Sequence, residues 1–96
     1  MKTQQEIIQR LANLKNHLKR KYPIKSVAIF GSYARNEQND TSDLDIMIEF
    51  SGNIGIKFID LADELDKDIG VKVDLVSRNG IKDRYYEVIE SELIYV

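Results

Sequence analysis

Cysteine is absent from the chain, which excludes a disulfide framework and a thiolate zinc site and fits a reducing cytoplasm. Long apolar runs are absent too. None approaches the roughly 20 residues that span a bilayer, and Met1 to Glu6 is polar where a secretory signal would carry its apolar centre. Neither sign of charge dominates: 14 Lys and Arg stand against 16 Asp and Glu, for a net charge of −2. A chain with no basic stripe is not built to capture nucleic acid by charge alone. Histidine occurs once; His17 lies in a basic, polar stretch and reads as a surface residue. Proline also occurs once, and Pro23 is placed to end the first helical pattern. There is no internal repeat and no low-complexity linker. With 96 residues, 43% of them hydrophobic and 31% charged, residues 1–96 are expected to form a single domain with one modest core.

Periodicity supplies the elements. Thr3 and Glu6 have capping-box spacing, and Ile7, Leu11, Leu14 and Leu18 then recur at helical intervals with Ile8 beside them. Lys19, Arg20 and Lys21 complement the dipole at the far end. Ser26 to Phe30 is a short apolar run that reads as a buried strand and leads straight into Gly31-Ser32, with a short helical turn expected over Tyr33 to Glu37. From Leu44 to Phe50 the pattern alternates: Leu44, Ile46, Ile48 and Phe50 face one way, and Asp43, Asp45, Met47 and Glu49 the other. A second amphipathic helix carries Phe58, Leu61, Ala62, Leu65 and Ile69, with Gly70 as its terminator. Val71 to Val76 reads as a third strand. Ser77 or Asn79 is placed to cap a helix bearing Ile81, Tyr85, Val88 and Ile89, and Leu93 to Val96 reads as a short edge strand. The expected fold is α/β (α+β): a small mixed sheet with helices packed on one face and polar residues, the aspartates among them, on the other.

The chemistry concentrates on that polar face. Asp43 and Asp45 share one side of a strand, roughly 6.5–7 Å apart, and Asp74 lies on the equivalent side of a later strand. If the two strands are neighbours, three carboxylates meet. Oxygen-only ligands of this kind suit Mg²⁺ or Mn²⁺ rather than zinc, and a two-metal arrangement would serve phosphoryl or nucleotidyl transfer. Gly31 lets the backbone approach a ligand closely. The helix start and the Ser32 hydroxyl favour phosphate. Arg35 can reach a triphosphate or pair with Glu37 or Asp40. Each feature also has a plainer reading, because Asp-x-Asp is commonly a solvated strand face and Gly-Ser commonly a turn. Together, and in this order on compatible elements, they have no evident structural purpose, since clustered like charges repel without a cation. For Tyr33, packing or simple exposure outweighs stacking on a base; Tyr85-Tyr86 reads as helix packing and Glu49 as solvated. No Walker-type phosphate loop is present.

Gly31-Ser32-Tyr33-Ala34-Arg35 followed by Ser42-Asp43-Leu44-Asp45 resembles the signature of the polymerase-β-like nucleotidyltransferase superfamily, and in detail that of its minimal MNT family. Asp74, in Val73-Asp74-Leu75-Val76, sits where that family has its third carboxylate, and Ile89 to Val96 is similar to the family's C-terminal segment. Asn36 departs from the pattern, standing where glycine is common. The resemblance implies that Gly31, Ser32, Arg35 and Ser42 hold the nucleotide, that Asp43 and Asp45 bind both metals, and that Asp74 binds one and helps activate the acceptor hydroxyl. It further implies ATP as substrate and AMP transfer to a tyrosine of a HEPN ribonuclease toxin, with the chain as its antitoxin. A short chain has no second domain to hold an acceptor, so the acceptor is expected to be a protein, in a hetero-oligomer or with a second copy completing the site. Two other readings compete: a module that masks its partner without catalysis, and a nucleotidyltransferase acting on small molecules.

Overall fold

The computed structural model describes residues 2–96. Helix α1 spans Gln4–Lys21 and opens on the expected capping box. The Glu6 N–H donates to Thr3 Oγ1 and the Thr3 N–H to Glu6 Oε1, each at 3.1 Å. It ends at Lys21, two residues before Pro23, with Tyr22 extended at the C-cap, as the backbone restriction ahead of proline requires. Strand β1 (Ile24–Phe30) leads into a single helical turn, α2 (Gly31–Ala34). Strand β2 (Leu44–Phe50) is followed by α3 (Lys57–Ile69), β3 (Val73–Ser77), α4 (Asp83–Ile89) and a two-residue β4 (Ile94–Tyr95).

The sheet order is β3-β2-β1-β4. β1 runs antiparallel to both β2 and β4, while β2 and β3 are parallel. A parallel pair cannot be closed by a tight turn, and α3 supplies the crossover. Gly70, at φ +84°, ends α3 in the left-handed conformation that glycine adopts without strain. The Val73 N–H then donates to Asp66 Oδ1 at 2.7 Å, which pins the start of β3 to the helix end.

α1 and α3 cover one face. Ile7, Leu11 and Leu18 of α1 and Leu61, Leu65 and Ile69 of α3 pack with Val27, Ile29, Leu44, Ile46 and Ile48 in the main core. Burying one such aliphatic side chain stabilises the fold by about 1.5–3 kcal/mol. The opposite face is less polar than the alternation suggests. Ala28, Phe30 and Met47 form a second, smaller cluster there with Ile81 and Ile89, so α4 and its flanking turns cover part of the aspartates' side of the sheet. Single apolar residues among polar neighbours do not announce such a patch, because their cover comes from a distant segment.

Local boundaries also differ from expectation: β1 starts two residues earlier, at Ile24, β3 runs from Val73 to Ser77 and β4 is only Ile94–Tyr95. The helical turn after β1 begins at Gly31 rather than Tyr33. Ser77 caps a 3-10 turn (Arg78–Gly80) through Gly80 N–H, not the helix that follows. Ile81 therefore lies ahead of α4, which starts at Asp83. No helix among the described residues is long and apolar enough to cross a membrane.

Candidate active site

The site is built where β1 ends. Gly31 has φ +76°, a conformation that disfavours any side chain. A Cβ at this position would also collide with the Asp45 carboxylate. Glycine is thus required twice, once for the backbone and once for the close approach of an acidic group. The chain then makes one helical turn, closed by Arg35 N–H to Gly31 O at 3.0 Å. A turn this short has no cooperative stability of its own, and it is held from outside. The Gln4 carboxamide donates to the Tyr33 and Ala34 carbonyls, both at 2.9 Å. At the other end, the Gly31 N–H donates to Glu92 Oε1 at 2.9 Å. Tyr33 is buried in the main core, so its ring is a packing group, as the sequence suggested. Asn36 follows with φ +57° and is the sole non-glycine residue with positive φ among the described residues. The position where glycine is common is therefore a left-handed one, which asparagine tolerates better than most.

The loop that returns to β2 is organised by Asn39. Its Oδ1 accepts from Thr41 N–H at 2.9 Å and from Thr41 Oγ1 at 2.7 Å, while its own N–H donates to Ser42 Oγ at 2.9 Å. Asp43 is exposed at the strand entrance, and Asp45 lies one strand step inside. In register, Asp45 faces Phe30 of β1 on one side and Asp74 of β3 on the other. The parallel pairing of β2 with β3 thus brings the third carboxylate's residue beside the second. Partial burial and the neighbouring Asp74 and Asp43 carboxylates raise the Asp45 carboxyl to about 6; Arg35 offsets only part of this.

Gly31, Ser32, Arg35, Asp43 and Asp45 line one open cavity of about 450 Å³, together with Phe30, Tyr85, Val88, Ile89 and Glu92. Asp74 adjoins it through Asp45. Ser42 lines a separate hollow with Asn39, Asp43 and Lys72, and its hydroxyl is engaged by Asn39. Arg35 pairs with Glu37 at 2.8 Å, one of the two acids that its spacing suggested, and also with Glu92 at 3.0 Å. Gln4 and Glu92 were not legible as site residues. Their partners lie 29 to 61 positions away, and nothing in local spacing points to them. Glu49 turns instead to Ser26 at 3.4 Å and Lys25 at 3.8 Å.

Asp43, Asp45 and Glu92 line the cavity with Arg35 as its one cation among the described residues, and Asp74 lies exposed beside Asp45 on β3. Among the described residues, no three His, Asp or Glu side chains are gathered tightly enough to hold a metal unaided. The donor chemistry still suits magnesium, which commonly takes one or two carboxylates and completes its shell with water and substrate phosphates. Asp45 and Asp74, register partners across β2 and β3 whose charges help raise the Asp45 pKa, are the pair that a cation would relieve.

A mixed sheet with this turn and these carboxylates is the framework of a nucleotidyl-transferring enzyme. Residues 11–96 match the nucleotidyltransferase domain family. A Methanocaldococcus jannaschii protein, MJ0128, provisionally named a protein adenylyltransferase, is 51% identical over 98 residues spanning all of both chains. The protein adenylyltransferase MntA of Thermococcus cleftensis is 33% identical over 97 residues, covering 100% of this chain and 98% of its own. A solved structure provisionally described as a minimal nucleotidyltransferase superposes with a TM-score of 0.80 at 29% identity, covering 97% of this chain and 95% of its own. A chain from a toxin–antitoxin structure with AMP-PNP shares the fold at a TM-score of 0.70 and 22% identity, covering 96% of this chain and 70% of its own. The chain belongs to the nucleotidyltransferase domain family, as one of its minimal MNT members, and is a nucleotidyltransferase.

Proposed function

We propose that the protein transfers AMP from ATP to a hydroxyl, that of a tyrosine, on a partner HEPN ribonuclease toxin, and so acts as its antitoxin. The observation that carries this reading is Asp45, beneath the Gly31 turn in an open cavity, with Asp74 as its register partner on β3. Support comes from the relatives named as protein adenylyltransferases and from the fold shared with the toxin–antitoxin complex that holds AMP-PNP.

On this reading the Gly31-Ser32 turn and Arg35 hold the triphosphate, with Ser42 steadying the loop that presents Asp43. Asp43, Asp45 and Asp74 would hold Mg²⁺, which supplies charge for the leaving pyrophosphate and lowers the pKa of the acceptor hydroxyl. The acceptor oxygen bonds to the α-phosphorus as the bond from that phosphorus to the α–β bridging oxygen breaks. Pyrophosphate leaves, and the hydroxyl proton passes to solvent or, transiently, to the Asp74 carboxylate. Most of the acceleration comes from holding the two reactants in line. Residues 1–96 act as one domain with an incomplete acceptor wall, which the partner's own surface completes.

The test is to incubate the purified protein with ATP labelled at the α-phosphate, Mg²⁺ and the product of the neighbouring gene. Label is expected on the partner, on tyrosine, and is expected to vanish with Asp74→Ala. Absence of label with every nucleotide and divalent metal would remove the proposal.

A further inference from the structure

Glu92 lies in the 3-10 turn (Glu90–Glu92) that follows α4. It is four-fifths buried, and its carboxylate bridges two donors: Oε1 takes the Gly31 N–H at 2.9 Å and Oε2 takes Arg35 NH1 at 3.0 Å. Those donors are the two ends of one helical turn, since the Arg35 N–H itself closes on Gly31 O. The carboxylate therefore spans α2 from outside. No side chain of α2's own segment caps it, and a helix start without a cap leaves its first N–H groups unpaired. Glu92 supplies the missing acceptor from the far end of the chain, while Gln4 ties down the carbonyl end. Arg35 would otherwise be a long side chain free to take many rotamers. Here it is gripped on one edge by Glu92 and at Nε by Glu37, and it lines the same cavity as Ser32 and the aspartates.

We propose that Glu92 is a positioning residue for nucleotide binding: it staples the Gly31–Arg35 turn and sets the Arg35 guanidinium where the triphosphate must lie. The inference rests on the reading of this cavity as the ATP site. The opposite role has a distinct signature. A carboxylate on Gly31 N–H and Arg35 could merely occupy the place of a phosphate, and removing its charge would then tighten nucleotide binding.

The experiment compares wild type with Glu92→Gln, Glu92→Ala and the neighbouring control Glu90→Gln. It measures MgATP affinity by calorimetry, the KM for ATP and kcat in the labelled transfer, and the melting temperature. Glu92→Gln keeps the shape and one acceptor but presents an amide to Arg35. It is expected to weaken MgATP binding and raise KM about tenfold, the scale of one charge-assisted hydrogen bond, with kcat within about twofold. Glu92→Ala is expected to weaken binding further. Glu90→Gln is expected to match wild type. In an Arg35→Ala background, Glu92→Gln should cost little more, because its effect runs through Arg35. Unchanged or tighter MgATP binding by a folded Glu92→Gln, or an equal loss with and without Arg35, overturns the proposal. Should Glu92→Gln not fold, Glu92→Ala and the Arg35 comparison are read in the same way. Wild-type protein that neither binds MgATP nor transfers label defeats the ATP-site reading itself, whereas an active wild type with an indifferent Glu92 variant defeats only the role given to Glu92.

Discussion

Asp45 sets stability against the role proposed for it as a metal ligand. Its carboxyl is raised to about 6 by partial burial and by the neighbouring Asp74 and Asp43. A raised value means that the folded state favours the protonated form. The associated stability is present below the ordinary carboxylate pKa and is lost as pH rises through about 6. At neutral pH without a cation, the ionised group therefore weakens the fold. Asp45→Asn is expected to melt higher than wild type at pH 7.5 in EDTA, by about 4 °C for roughly 1 kcal/mol after allowance for partial exposure. The difference should fade by about pH 4, where wild-type Asp45 is itself largely protonated. Mg²⁺ should raise the wild-type melting temperature and close the gap. Melting curves across pH, with and without Mg²⁺, check this, and an Asp45→Asn variant less stable than wild type at pH 7.5 in EDTA would contradict it. Gly31 belongs to the same conflict, since only a residue without a side chain leaves room for the Asp45 carboxylate.

At the scale of elements, α4 links the C-terminal segment to the sheet face that bears the aspartates. Ile89 is 3% exposed and packs with Ala28, Phe30, Met47 and Ile81. Glu92 follows three residues later. Ile89→Ala is expected to destabilise the protein by about 2–4 kcal/mol, in the usual range for truncating a buried aliphatic side chain. Because the 3-10 turn bearing Glu92 depends on α4 for its place, the same variant should also weaken MgATP binding severalfold under conditions where it is still folded. Denaturant titration and calorimetry measure the two effects separately. A variant that loses stability but binds MgATP like wild type would show that the turn is held by β4 instead. The edge does have its own anchors, with Val96 N–H donating to Val27 O at 2.9 Å and Lys15 Nζ to Val96 O at 2.7 Å.

At the scale of the whole molecule, the cavity is open, and the Asp43, Asp45 and Glu92 carboxylates that line it outnumber Arg35. An incoming triphosphate would meet repulsion unless cations come with it. Tyr85 and Val88, 49% and 68% exposed, form an apolar rim to the same cavity and give an acceptor protein a surface to cover. If transfer is what silences the partner, Asp43→Asn with Asp45→Asn should bind the partner yet fail to neutralise it on co-expression at matched levels. Full neutralisation by the double variant would instead mean that masking suffices.

The three aspartates and the glycine turn were legible from sequence because the physics behind them is local. Side-chain alternation places Asp43 and Asp45 on one face, a positive-φ turn calls for Gly31, and helical spacing with a capping box and a terminal glycine marks α1 and α3. Asp74 could be placed on the correct face of its strand. That it lies beside Asp45 depends on the parallel pairing of β2 with β3, which no local pattern encodes. The tertiary structure alone decided the rest. It put Met47, Phe30 and Ala28 under α4, turned the Ser42 hydroxyl into its own loop, and brought Gln4 and Glu92 from the two ends of the chain to hold one helical turn. Such contacts join residues tens of positions apart, and their energy exists only once the main core has fixed the distance between them. The Gly31–Asp45 segment supplies most of the residues of the proposed site, but its geometry is held by the rest of the fold.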